Sequence, residues 1–192
     1  MNEKELSTGK IEVYHTGYQI IPTPDVKFGR VNADFGQGFY VTPNKEFAYR
    51  WAKVSRDKKP IVNKYMLNLE GLKIHRFSRS IDWFRYIFQN RRGRADELDA
   101  DIVIGPIAND TIYDTLGILT SGFLSDELAL KCFQAGGEYI QIALKTRAAQ
   151  EHLEFISSEV LDEGKIRQSM EILTREQDDY LKQIAEIMEE NS

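Results

Sequence analysis

Cysteine is almost absent from this chain, which has 192 residues and a single cysteine, Cys132. One thiol can form neither an internal disulfide nor a metal site built on several thiolates. The three histidines, His15, His75 and His152, are too scattered to show metal-ligand spacing. We therefore expect a protein of the reducing cytoplasm that holds no metal.

Long apolar runs are also absent. No stretch of 18 apolar residues occurs, and the first ten residues, MNEKELSTGK, are mostly charged or polar. A transmembrane helix needs such a run, and a secretory signal needs an apolar core after its first charges. The sequence therefore predicts neither a membrane-spanning segment nor a secretory signal.

The net charge of −5 comes from the C-terminal part of the chain. Residues 162–192 contain nine acids and four bases, whereas residues 1–161 contain 21 acids and 21 bases. A neutral body offers no electrostatic reason for tight nucleic-acid binding, so a nucleic-acid partner is not indicated. The pattern predicts one domain over residues 1–161, followed by an acidic helix over 162–192.

Short strands and helices follow one another irregularly along residues 1–161. Runs of β-branched and aromatic residues predict the strands, while helical spacing and the N-caps Asn44 and Ser125 predict the helices. Because strands and helices do not strictly alternate, the order favours an α+β fold over a doubly wound one. The predicted strands cover 10–17, 38–42, 61–70, 72–78, 101–107 and 138–146, and the predicted helices cover 44–56, 80–92, 109–122, 125–136 and 146–161.

The acidic C-terminal helix carries an apolar stripe with alternating spacings of four and three residues. This is a heptad pattern, interrupted by one polar residue, Gln177. Such a stripe packs either on its own domain or on another chain, through self-association or with a protein partner, and the sequence leaves both open. The stripe consists of Ile166, Met170, Leu173, Gln177, Tyr180, Ile184 and Ile187.

The densest motif is VNADFGQGFYVTPNKEFAYRWA, residues 31–52. Its Asp34-Phe35-Gly36 triplet is not a kinase signature, because no glycine-rich loop and strand lysine precede it. The adjoining Gly36-Gln37-Gly38 lacks the strand–GxGxxG–helix unit of a dinucleotide-binding fold. No G-x-S-x-G motif occurs either, so the sequence does not indicate a hydrolase of that type.

Several separate segments together resemble one family pattern. His15 ends the first predicted strand, Tyr40 follows D-F-G-x-G in the second, and a late strand opens with EYIQ, residues 138–141. This order resembles the ADP-ribosyltransferase fold of the diphtheria-toxin and poly-ADP-ribose-polymerase type, which has a split β-sheet core with flanking helices. The series YHTG, DFGQGFYVT, FAYRWA, DIVIGPIAND and QIALKT looks like DUF3990, a bacterial family usually grouped with ADP-ribosyltransferases, over roughly residues 11–160.

The resemblance implies NAD as the substrate, without a metal. Such a domain cleaves the bond between nicotinamide and ribose through an oxocarbenium-like cation. It then passes ADP-ribose to a macromolecular acceptor, which the sequence does not identify. Two other functions stay open: a NAD glycohydrolase, in which water replaces the acceptor, and a non-catalytic NAD or ADP-ribose sensor that signals through its helical tail.

The resemblance also implies which residues bind NAD. His15 is expected to hydrogen-bond a ribose hydroxyl as a neutral donor, and the backbone beside it to pair with the carboxamide. Nicotinamide is expected to stack in a flat slot that Tyr40 forms with Trp51 or Tyr49. The predicted NAD-binding residues are His15, Thr16, Gly17, Arg30, Asn32, Gly38, Tyr40, Tyr49 and Trp51.

The catalytic carboxylate has two candidate positions. Glu138 matches the E-Y-I pattern of the fold, whereas Gln141 matches the landmark glutamine of DUF3990. Residues three apart on a regular strand face opposite sides, so only one of the two points into a cleft. We favour Glu138, because a carboxylate stabilises the positive charge that develops on the ribose. The predicted catalytic residues are His15, Tyr40, Glu138 and Gln141.

Three other polar groups have a structural and a functional interpretation. Arg30 and Asn32 either contact phosphate or adenosine or are solvated loop residues. Asn109-Asp110 either caps a helix or lines the cleft. The basic cluster of Arg91, Arg92 and Arg94 is more typical of a solvated loop than of a target-binding patch.

Overall fold

The computed structural model describes residues 9–52, 57–108 and 125–190. Within these ranges it contains seven strands, five α-helices and a short 3-10 turn at Val26–Phe28. The predicted helix over 109–122, including Asn109-Asp110, lies outside the described residues. The strands are β1 (Lys10–Gly17), β2 (Phe39–Val41), β3 (Ile61–Asn68), β4 (Ile74–Arg76), β5 (Ile102–Pro106), β6 (Ile140–Leu144) and β7 (Leu153–Val160); the helices are α1 (Lys45–Arg50), α2 (Ile81–Arg91), α3 (Asp126–Gln134), α4 (Arg147–Glu151) and α5 (Glu163–Glu190).

Two sheets make up the body. One has the order β1-β3-β7 and is antiparallel; the other has the order β2-β6-β5-β4 and is antiparallel except between β4 and β5. Among the described residues, one bridge joins the two sheets: Tyr14 and Thr42 exchange two backbone hydrogen bonds of 2.8 and 2.9 Å. This arrangement confirms the predicted α+β class with a C-terminal helix.

Alternation of side chains along the strands sets the layers. Val13 and Tyr65 of the first sheet face Phe39 and Ile142 of the second, and these residues form a buried core between the sheets. The opposite face of the second sheet is covered by α2, whose Trp83 is fully buried and donates its indole N–H to the Pro106 carbonyl at 3.0 Å. Each such buried side chain contributes about 1.5–3 kcal/mol through removal of apolar surface from water.

Helix starts agree well with the sequence. The Asn44 side chain accepts a hydrogen bond from the Phe47 amide at 3.0 Å, and Ser125 caps α3 in the same way. These contacts satisfy amides that the first turn leaves without an intrahelical partner. Both predicted N-caps are therefore confirmed.

The prediction of a helix over 146–161 is wrong beyond its first turn. Only Arg147–Glu151 is helical, and the chain then extends into β7, which pairs with β3 along its whole length. The β3 edge would otherwise expose its backbone donors and acceptors, and β7 satisfies them. Phe155 packs edge-on against Tyr65, with ring centroids 5.8 Å apart. This long-range pairing overrides the local helical pattern.

Helix α5 packs on the body of its own chain. Ile166 and Tyr180 of the apolar stripe are buried, and Tyr180 is fully so, whereas Met170 remains 52% exposed. Between the stripe positions, Glu176 pairs with Arg50 of α1 at 2.6 Å and accepts a hydrogen bond from the Tyr139 hydroxyl at 2.6 Å. Of the two interpretations of the stripe, the structure displays the intramolecular one, and association with another chain stays a prediction. Within the described residues, no helix has both the length and the apolarity to span a bilayer.

Candidate functional site

His15 lies where the two sheets separate. Directly after the Tyr14–Thr42 bridge, its Nδ1 atom lies 2.7 Å from the Tyr40 carbonyl oxygen and its ring packs on Phe39 at 4.5 Å. A carbonyl only accepts, so Nδ1 carries the proton. Burial lowers the pKa of His15, which keeps the ring neutral. Its Nε2 therefore offers a lone pair, which corrects the predicted donor role to an acceptor role.

The buried position of His15 gives the protein a pH-dependent stability. The unfolded histidine, with an ordinary pKa of about 6.5, takes up a proton before the folded one does. This part of the stability is thus fully present above the unfolded pKa and is lost as the pH falls below it. We expect the free energy of unfolding to decrease between about pH 7.5 and about pH 5.5.

Urea unfolding at several pH values, for the wild type and for His15→Gln, checks this expectation. The difference in unfolding free energy between the two proteins is expected to shrink toward the acid end, because glutamine does not titrate. A difference that stays constant across the range would contradict a lowered pKa for His15.

Tyr40 holds a tight turn with its hydroxyl group. That hydroxyl donates to the Gly36 carbonyl at 2.6 Å and accepts from the Phe35 amide at 3.0 Å. Burial raises the pKa of Tyr40 far above its ordinary value, so the phenol stays protonated. Gly36 has a φ of +74°, a conformation that glycine adopts without strain. Tyr40 thus fixes the segment Asp34–Gly36, which we name the DFG turn.

Gln141 lies on the same face of the sheet as Tyr40. It is 3% exposed, and its Nε2 donates to the Asp34 Oδ2 atom at 3.2 Å. Tyr40 pairs in register with Ala143, two residues from Gln141, so both side chains point toward the DFG turn. Glu138 precedes the first residue of β6 and is exposed. The structure therefore brings Gln141, rather than Glu138, together with Tyr40.

A buried ion pair, which the sequence reasoning missed, supports Gln141. Arg91 contacts the Asp34 Oδ1 atom with Nη2 at 2.8 Å and with Nε at 2.9 Å, and both side chains are only 11% exposed. The prediction of Arg91 as part of a solvated loop is therefore wrong. A signal existed: Arg91 follows the buried Phe84 and Ile87 at helical spacing and shares their inward face.

All three carbonyl groups of the DFG turn have side-chain donors from different elements. Asn90 of α2 donates to the Asp34 carbonyl at 3.2 Å, and Lys145 donates to that of Phe35. The Tyr40 hydroxyl of β2 donates to the third carbonyl, that of Gly36. Lys145 also pairs with Asp96 at 2.7 Å. Because buried carbonyls without partners are costly, this set of donors holds the turn in one conformation.

Comparison with known proteins gives one family match. The model of the family described as Protein of unknown function (DUF3990) matches residues 11–155, three quarters of the chain. The chain belongs to this family. No curated protein and no solved structure matches it. The matched region contains His15, Tyr40 and Gln141 and ends within β7, so α5 lies beyond it.

The DUF3990 region does not form the predicted aromatic slot from Tyr40 and Tyr49. Tyr49 is buried in a separate cluster with Tyr14, and its hydroxyl contacts the Glu159 carboxylate at 3.2 Å. Tyr40 packs on the α2 side of the second sheet instead. Trp51, at 42% exposure, makes an edge contact with Phe47 at 5.7 Å. The three rings pack against different parts of the fold. They therefore do not face one another, although their positions in the motif are close in sequence.

The other residues predicted to bind NAD are either exposed or held by ordinary packing and hydrogen-bond contacts. The Thr16 hydroxyl donates to the Ala48 carbonyl at 2.5 Å. Arg30 and Asn32 are exposed in the loop before the DFG turn. Gly38 passes so close to β6 that a Cβ atom there would lie 2.6 Å from the Leu144 carbonyl oxygen, which explains the glycine by packing. Gly17 ends β1, opposite Ile61.

Proposed function

We propose that this DUF3990 domain binds NAD, cleaves its bond between nicotinamide and ribose, and transfers ADP-ribose to a macromolecular acceptor. The observation that carries the proposal is the position of three residues on β1, β2 and β6 where the two sheets diverge, a place that we name the branch point. The His15 ring lies against Phe39, on the face opposite to that of the Tyr40 and Gln141 side chains. His15 of β1 contacts the Tyr40 carbonyl of β2, and Gln141 of β6 lies beside Tyr40 at the DFG turn. The ADP-ribosyltransferase resemblance implies a histidine, a tyrosine and a late glutamate on three strands, and in the DUF3990 pattern a glutamine, here Gln141, is the late landmark.

The backbone after His15 supports this proposal. Tyr14 directs its amide and carbonyl toward Thr42 of β2, and in an antiparallel ladder every second residue directs its polar groups to the same side. The amide and carbonyl of Thr16 therefore point away from β3, into the space where the sheets diverge. A carboxamide group pairs with one hydrogen-bond donor and one acceptor placed side by side. The amide and carbonyl of Thr16 therefore suit the carboxamide of nicotinamide. Nearby, the His15 Nε2 lone pair suits a ribose hydroxyl.

In the proposed reaction, the glycosidic bond breaks heterolytically and nicotinamide leaves with the electron pair. The ribose C1′ becomes an oxocarbenium-like cation, which the acceptor then attacks as it loses its proton. The Gln141 Nε2 donates to Asp34, which leaves the amide oxygen to accept a ribose hydroxyl. An amide dipole stabilises the cation less than a full carboxylate does, so slow turnover is expected.

A non-catalytic NAD or ADP-ribose sensor is the second candidate. It is favoured by the amide in place of a carboxylate beside Tyr40, and by the pairing of the nearby Asp34 charge with Arg91. Such a module would bind NAD with the same residues and leave it intact. Its output would pass through α5, which contacts Arg50 and Tyr139.

Nicotinamide release by the purified protein tests the proposal. We expect release from NAD with a cell lysate as acceptor source, and about 100-fold slower release for Gln141→Leu. Glu138→Gln and the exposed control Gln168→Leu are expected to leave the rate unchanged, since neither residue faces the DFG turn. NAD binding is measured separately, by the shift in melting temperature.

The outcomes distinguish the alternatives. Equal release without lysate would indicate a glycohydrolase, and NAD binding without release would indicate the sensor. Loss of release in Glu138→Gln alone would place the catalytic group at Glu138. Absence of both NAD binding and release would overturn the proposal.

A further inference from the structure

A groove between β4 and α2 has the size of a small-molecule site. Its volume is about 530 Å³, within the range of ligand pockets, and none of the predicted NAD-site residues lines it. Residues of β4 and the segment after it, among them Arg76 and Phe77, line it together with Arg85 and Tyr86 of α2. The groove therefore offers a binding place separate from the branch point at His15.

The groove lies in the most basic part of the chain. Residues 71–94 contain seven lysines and arginines and one acid, Asp82, although the whole chain carries −5. Arg91 and Lys73 have carboxylate partners in Asp34 and Asp99. Arg85 is exposed and makes no ion pair with another described residue. Four acids follow in residues 95–101, so the charges that line the groove itself are the two cations Arg76 and Arg85 and the carboxylate Asp82.

Aromatic rings form a continuous wall in the groove. The ring centroids of His75 and Phe77 lie 4.4 Å apart. Phe77 stacks on Tyr86, with their ring centroids 4.9 Å apart and an interplanar angle of 26°. The Tyr86 hydroxyl donates to Asp96 at 2.9 Å, which holds that ring in place. Such preorganised rings bind planar groups with little loss of side-chain entropy.

We propose that this groove binds a nucleotide. Arg76 and Arg85 contact the phosphate, the Ser78 hydroxyl adds a donor, and the base packs along the Phe77–Tyr86 wall. Arginine and hydroxyl donors are the usual partners of phosphate, and aromatic faces are the usual partners of bases. An inorganic phosphate would fill only a small part of the volume, so the rings and the cations together favour a ligand with both groups.

Binding of 5′-AMP by the full-length protein, measured by calorimetry, tests this proposal. We expect binding that is about tenfold weaker in Arg76→Gln and in Arg85→Gln, since each removes a charge-assisted hydrogen bond. Arg167→Gln, an exposed arginine of α5, is the matched control with the same charge change and is expected to bind like wild type. Adenosine and inorganic phosphate are expected to bind more weakly than AMP.

Two further arms locate the site and the source of the nucleotide. AMP is half of NAD, so AMP could also bind at the branch point. His15→Ala would remove AMP binding at the branch point but is expected to keep AMP binding in the groove. A six-residue oligoadenylate that binds much more tightly than AMP would identify a single strand as the source, and equal affinity would identify a free nucleotide. Either result supports a nucleotide site in the groove.

The proposal would be overturned by the absence of AMP binding, by equal losses in Arg85→Gln and Arg167→Gln, or by loss of binding in His15→Ala. Phosphate binding as tight as AMP binding would remove the role of the aromatic wall and overturn it as well. NAD cleavage does not enter any of these readouts, so the groove and the proposed function can fail independently.

Discussion

Substitution of Asp34 by alanine is expected to lower the free energy of unfolding by about 3–5 kcal/mol. The Arg91 guanidinium loses the Asp34 carboxylate, and its side chain is 11% exposed, so water cannot replace this partner fully. Gln141 loses its acceptor at the same time. Removal of one member of a buried ion pair costs far more than the net contribution of the intact pair. Urea unfolding measures the change.

An exposed pair provides the matched control. Lys73 and Asp99 lie 2.7 Å apart, but their side chains are 65% and 86% exposed. Asp99→Ala is therefore expected to cost less than about 1 kcal/mol, because water screens this pair. Equal effects of Asp34→Ala and Asp99→Ala would contradict the burial of the Asp34–Arg91 pair.

The double variant Asp34→Ala/Arg91→Met separates the cost of an unpaired charge from the value of the pair. We expect it to recover a large part of the stability lost in Asp34→Ala, because neither charge of this buried pair remains. Nicotinamide release, where the wild type displays it, is expected to stay impaired, because Gln141 still lacks the acceptor that orients its amide. The unfolding free energy thus reports on the buried charge, and nicotinamide release reports separately on the orientation of Gln141.

Substitution of Tyr180 by alanine is expected to destabilise the protein by about 3–5 kcal/mol. The ring is fully buried at the contact between α5 and the segment around Ala135, with Leu173 and Ile184 packed beside it. Removal of an aromatic ring from such a position leaves a cavity that the helix cannot collapse to fill completely.

The neighbouring residue on the same helix is the control for this prediction. Leu181 is 45% exposed, so Leu181→Ala is expected to change the unfolding free energy by less than about 1 kcal/mol. Urea unfolding of both variants decides the matter. Similar small losses in both would mean that α5 is not docked on the body, and the stripe would then be available to another chain.

Local patterns were sufficient for much of the fold. The bounds of β1 were predicted to the residue, and the helix starts at Asn44 and Ser125 were correct, because strand alternation and helix capping depend on neighbouring residues. The strand Leu153–Val160 was missed, because its decisive interaction is a ladder with β3, about 90 residues earlier in the chain. Helical periodicity contains no information about such a partner.

The sequence predicted which residues belong to the candidate site better than it predicted how those residues are arranged. His15, Tyr40 and Gln141 were identified by motif. The structure places the Tyr40 and Gln141 side chains on the α2 face of the second sheet and the His15 ring against Phe39 on the other face. Arg91 was assigned to solvent, since its partner Asp34 lies 57 residues away. The donor role of His15 was reversed by one long-range contact, with the Tyr40 carbonyl.

The sequence by itself determined the α+β class, the family and two of the residues that meet at the DFG turn, Tyr40 and Gln141, because composition, strand alternation and motifs are local properties. Tertiary structure decided which of Glu138 and Gln141 lies beside Tyr40, through the residue at which β6 begins. It also decided that the stripe of α5 packs on its own body. These outcomes depend on which buried groups must find partners, and that is settled only when distant segments compete for the same surfaces.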